Sequence, residues 1–89
     1  MRIIVAPTFS RAVKRLHKNQ KADLDNAVRQ IAENPLLGAA KVGDLSGVRV
    51  FKFHLVNQLC LLAYTQPDDD TLKLLALGAH ENFYRDMKR

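Results

Sequence analysis

The stretch that most constrains this 89-residue chain is Val48–Leu55, where apolar and polar side chains alternate with a period of two. One set is Arg49, Phe51, Phe53 and Leu55; the other is Val48, Val50, Lys52 and His54. Successive side chains of a strand point to opposite faces. The aromatic set therefore belongs on a core, and Lys52 and His54 belong on the other side. A one-residue slip would exchange the two sets, so the pattern also sets the pairing register.

The segments before and after this strand read differently. Upstream, Phe9, Val13 and Leu16 recur at helical spacing, and Leu24, Ala27, Val28 and Ile31 repeat the pattern. Pro7 is expected to end a short β-branched strand at Arg2–Ala6, with Thr8 as helix cap. Asn19-Gln20 should divide the two helices, and Asn34-Pro35 should stop the second, because proline disfavours the α conformation in the residue before it. Leu36 to Gly43 reads as a connection. Downstream, Gln58–Thr65 is nearly all apolar, as in a strand covered on both sides. Pro67-Asp68-Asp69-Asp70 reads as an acidic turn, Thr71–Leu77 as a strand closed by Gly78, and Glu81–Arg89 as a helical tail. The expected fold is one α+β domain over residues 1–89, in the order β-α-α-β-β-β. A two-helix hairpin should pack on one face of an antiparallel sheet, leaving the face with Lys52 and His54 partly open.

Composition narrows the function. The longest apolar run, Leu59–Tyr64, has six residues, against ~20 for a membrane span. The N-terminal apolar run is too short for a secretory signal. A single cysteine, Cys60, excludes a disulfide framework. A cytoplasmic protein is expected. Fourteen Lys and Arg against nine Asp and Glu give a net charge of +5. Arg11, Lys14, Arg15, Lys18 and Lys21 fall in a stretch without an acid. Such a field suits a nucleic acid or an acidic protein segment, and equally a solvated helix face.

Several chemistries are missing. The four glycines show no phosphate-loop spacing, and the three histidines show no metal-ligand spacing. No metal and no cofactor are expected. Cys60 lies in an apolar run and reads as a small buried residue. What remains is basic and aromatic. Lys52 and His54 share a strand face, and the end of the last strand should bring His80 and Tyr84 toward them. Together they hold what RNA scission needs: a proton acceptor for the 2′-hydroxyl, cations for the phosphate, a proton donor for the leaving oxygen and a ring for stacking. Each residue also has an ordinary reading: His80 as a strand-end hydrogen-bonding group, Tyr84 as a packed terminal ring, Lys52 as a solvated lysine.

The ordered set of motifs resembles the RelE/ParE superfamily of toxins from bacterial type II toxin–antitoxin systems. It comprises Phe9-x-x-x-Val13-Lys14-x-Leu16, Asn34-Pro35-Leu36-Leu37-Gly38, Leu45-x-Gly47-Val48-Arg49-Val50-Phe51-Lys52-Phe53 and Gly78-x-His80-Glu81-x-x-Tyr84-Arg85. The resemblance covers nearly the whole chain. It implies a small cytoplasmic toxin neutralised by an acidic antitoxin, whose tail the basic first helix suits. It also implies one of two targets: mRNA, cleaved without metal and often on the ribosome, or DNA gyrase, poisoned without cleavage. An inactivated relative that binds only its antitoxin is the third reading. Carried over by position, the paired lysines of the RelE-type second strand fall on Lys52 and His54. The basic group after the last strand falls on His80, and the terminal tyrosine on Tyr84. The third-strand arginine falls near Leu61 and is absent, with Arg49 or Arg85 as replacements at the RNA. The expected catalytic set is His80, His54, Lys52 and Tyr84, with Arg49 and Arg85 binding RNA.

Overall fold

In the computed structural model, which describes residues 1–80, the chain runs β1 (Arg2–Val5), α1 (Pro7–Lys14), α2 (Lys18–Glu33), β2 (Ala39–Ala40), β3 (Arg49–Leu55), β4 (Gln58–Asp68) and β5 (Thr71–Ala79). The expected helical tail at Glu81–Arg89 lies outside the described residues. The five strands form one mixed sheet in the order β1-β5-β4-β3-β2. β3, β4 and β5 make the expected antiparallel meander. Two strands complete it: β1 joins β5 in parallel, and β2, hidden in the expected connection, pairs antiparallel with β3.

Local signals were displaced by a few residues for identifiable reasons. Pro7 opens α1, and Ala6 rather than Thr8 is the cap. Proline suits the first helical position, where its φ is already helical and its missing N–H has no partner to lose. The helices divide at Arg15–His17, not at Asn19-Gln20. Gln20 lies in the first turn of α2, and its side-chain oxygen accepts the His17 N–H at 2.8 Å. β4 runs through Pro67 because the register with β5 shifts between Thr65 and Asp68. A bulge is one of the few places in a strand that tolerates a missing donor. Gly78 does not close β5; it pairs with Leu61 inside the ladder.

Both helices lie on one face, α1 against β5 and α2 against β3. The core between them and the sheet includes Phe9, Leu24, Ile31, Leu62, Tyr64 and Leu72, all buried. Phe51 and Phe53 stack on this face with centroids 5.9 Å apart and planes inclined by 11°. Each fully buried Leu, Ile or Phe of this core contributes on the order of 1.5–3 kcal/mol through burial. The second face has a smaller apolar cluster of Val50, Leu61 and Ala63.

Two devices fix α2 along the sheet. At one end, the Asp23 carboxylate accepts the Val56 N–H at 2.7 Å in the β3–β4 turn. Val56 is held there at φ 58°, a left-handed conformation unfavourable for a β-branched residue. At the other end, the Tyr64 hydroxyl donates to the Pro35 carbonyl at 2.7 Å and accepts the Gly38 N–H at 2.9 Å. A Cβ on Gly38 would stand 2.8 Å from the Tyr64 ring, so only glycine fits. α2 thus runs from the β3–β4 turn back toward the start of β3.

Candidate functional site

The second face of the sheet takes its shape from one extra residue in β5. Ala63 pairs with Ala76 but Tyr64 pairs with Leu74, which leaves Leu75 as a bulge. Before the bulge, Leu72 and Leu74 face the helices. Strict alternation would send Ala76, Gly78 and His80 the same way. The extra residue reverses the phase: Leu77 joins the helix-side core, while Leu75 and Ala76 pack on the second-face cluster. Gly78 then lies opposite Leu61 on the second face. His80 follows two residues later on that face, with its N–H donating to the Leu59 carbonyl at 3.1 Å.

Three expected residues are thereby brought together. His54 pairs with Leu59, so His54, Leu59 and His80 form one row across β3, β4 and the end of β5. Lys52, Leu61 and Gly78 form the next row. Two strand spacings separate His54 from His80, about 10 Å between backbones. Lys52, His54 and His80 are exposed, whereas Leu59 is half-buried and Leu61 buried between them. The result is a shallow apolar floor with a cationic or titratable side chain on each flank. None of β3's residues, nor residues 58–65 of β4 or 71–80, is an acid, so no carboxylate from these strands opposes an anion here.

Arg49 is not brought to this patch. It lies on the helix side, opposite Tyr64, and its guanidinium donates to the Gly38 carbonyl at 2.8 Å and the Leu36 carbonyl at 3.3 Å. Together with Tyr64 it clamps the 35–38 loop. Sequence reasoning missed this clamp; the signal was the Asn34-Pro35-Leu36-Leu37-Gly38 motif, whose polar partners lie far away in the chain. Burial pushes the Tyr64 hydroxyl above its ordinary value, partly offset by the Gly38 N–H and the Arg49 charge. Burial likewise raises the Cys60 thiol, partly offset by a backbone hydrogen bond from Leu55. Cys60 is thus a buried thiol on the helix side, away from the patch. Tyr84 and Arg85 lie outside the described residues. Among the described residues, no group of His, Cys, Asp or Glu is arranged to hold a metal. No described helix is long and apolar enough to cross a membrane.

The fold is that of E. coli RelE. The chain superposes on the toxin–antitoxin complex RelBE from E. coli with a TM-score of 0.70 at 13% identity, covering 88% of this chain and 94% of that one. The isolated E. coli RelE toxin gives 0.68 at 14% identity, covering 99% and 96%. A mutant RelE in complex with a RelB antitoxin peptide gives 0.67 at 14%, covering 97% and 92%. No curated protein sequence matches. Residues 3–88 match the family model for the ParE-like toxin of type II bacterial toxin–antitoxin systems. The chain belongs to that family.

Proposed function

We propose that this toxin is a metal-independent RNA endonuclease that inhibits translation and is held inactive by an acidic antitoxin. The observation that carries the reading is the row His54–Leu59–His80 beside Lys52. A phosphodiester resting over Leu59 lies between two imidazoles, with an ammonium alongside. One imidazole takes the proton of the 2′-hydroxyl, whose oxygen attacks the adjacent phosphorus. The phosphorus–O5′ bond breaks, and the second imidazole supplies the proton to the departing O5′. The products are a 2′,3′-cyclic phosphate and a 5′-hydroxyl. Lys52 opposes the charge that builds on the phosphoryl oxygens. Tyr84 and Arg85 are the stacking and phosphate-binding groups of the same proposal. The antitoxin partner is supported by the family and by the RelB-bound structures of E. coli RelE.

One observation favours a second reading. Leu61, buried in the middle of the patch, puts no cation where the RelE-type pattern has an arginine. A gyrase poison needs no such cation. Induction of the toxin followed by transcript mapping separates the two. Growth arrest with new 5′-hydroxyl ends, abolished by His80→Ala, is the expected result. Arrest with intact transcripts and an SOS response would replace the nuclease by the gyrase poison.

A further inference from the structure

The basic stretch between Thr8 and Ala22 has no role in the patch, and its position gives it one. α2 is pinned to the β3–β4 turn by Asp23, and Lys18 lies five residues earlier, about 7.5 Å further along the helix. Only three residues, Arg15 to His17, separate the end of α1 at Lys14 from the start of α2 at Lys18. The corner between the helices therefore projects at the end of the sheet where β3 finishes and His80 follows β5. Lys14, Arg15, Lys18 and Lys21 are all exposed there.

Two features separate the kinds of partner such a corner could take. First, the first turn of α2 contains no acid and carries Lys18. Cations at a helix N-terminus oppose the helix dipole. The arrangement weakens the helix while concentrating positive potential. Second, the large exposed apolar residues lie elsewhere. Ile3, Ile4 and Val5 are on β1, and Leu36, Leu37 and Val42 surround β2, leaving Val56 alone at this end among the described residues. A protein partner needs apolar anchors at the centre of its interface. A phosphate backbone needs only cations.

We infer that the α1–α2 corner continues the Lys52–His54–His80 patch and grips the phosphates of single-stranded RNA flanking the position of cleavage. The inference rests on the RNA reading above. A strand lying over Leu59 passes the end of the sheet and meets Lys14, Arg15, Lys18 and Lys21 on the far side.

The test uses the full chain and oligonucleotides made uncleavable by 2′-methoxy groups, of about 4 and about 16 nucleotides. The long RNA should bind at least ~10-fold tighter than the short one at low salt, since it reaches additional cations. Lys14→Gln, Arg15→Gln, Lys18→Gln and Lys21→Gln together should abolish that gain, leave the short RNA unaffected and lower the log–log salt slope by roughly 2–3. The charge-keeping combination Lys14→Arg, Lys18→Arg and Lys21→Arg should retain the gain, and matching thermal melts exclude a folding defect. An unchanged length gain in the glutamine variant overturns the inference. So does loss of binding to a poly-glutamate peptide with RNA binding intact, which would assign the corner to an acidic protein. Failure of the nuclease reading is seen separately: cleavable RNA stays whole while the length gain persists.

Discussion

The two faces of the β3–β4–β5 meander are built from the same three strands and differ in what they carry. On the helix side, Phe51, Phe53, Leu62, Tyr64, Leu72 and Leu74 interlock with α1 and α2. Its polar groups are satisfied internally, as in the Tyr64–Arg49 clamp on residues 35–38. On the second face the apolar cluster is smaller, and toward the end of β3 it gives way to exposed Lys52, His54 and His80. The helix side contributes stability. The second face leaves its cations solvated and unpaired with acids from its own strands, and so available to an anion. Substitutions should separate the two accordingly.

The largest effect belongs to the second face. His80→Ala and His54→Ala should each lower RNA cleavage by about 100- to 10,000-fold and leave stability within about 0.5 kcal/mol. A gel assay on a defined transcript, paired with urea unfolding, checks both halves; a large loss of stability would erase the distinction between the faces. Leu62→Ala should do the reverse, costing about 2–5 kcal/mol through the cavity it leaves, with chemical steps unaffected in the protein that remains folded. Tyr64→Phe should cost about 1–3 kcal/mol, because the Gly38 N–H and the Pro35 carbonyl lose their partner. That variant also carries a pH signature. The Tyr64 hydroxyl is raised above 10.0, so the folded state keeps its proton after the unfolded state has lost it. The stability so gained is fully present below pH 10.0 and is lost as pH rises toward the higher folded value. Alkaline unfolding followed by circular dichroism should show this branch in the native chain and a shallower one in Tyr64→Phe. The smallest effect is Val56→Gly, expected to stabilise by about 0.5–1 kcal/mol. Relief of the left-handed strain there exceeds the entropy that glycine loses.

Element types were legible because each rests on a local period. Phe51 and Phe53 alternating with Lys52 and His54 defined β3 and the faces of its side chains. Phe9 and Val13 defined α1, while Leu16, the third member of that spacing, falls in the connection to α2. Ends and edges were less legible. β2 is two alanines whose strand character comes only from pairing with Arg49 and Val50. Arg49 reads as a free cation in sequence, and only the fold shows its hydrogen bonds to Leu36 and Gly38.

The sequence by itself determined the α+β order, the helix-facing aromatic set and the outward placement of Lys52 and His54, because periods of 3.6 and 2 are properties of the backbone. Only the tertiary structure decided which side His80 takes. Counting by twos from Leu72 and Leu74 sends it toward the helices. The bulge at Leu75 reverses that phase and sets it on the face of His54, across Leu59. A bulge exists only in the pairing of two strands, through the hydrogen bonds one makes with the other, so no pattern within β5 alone could reveal it.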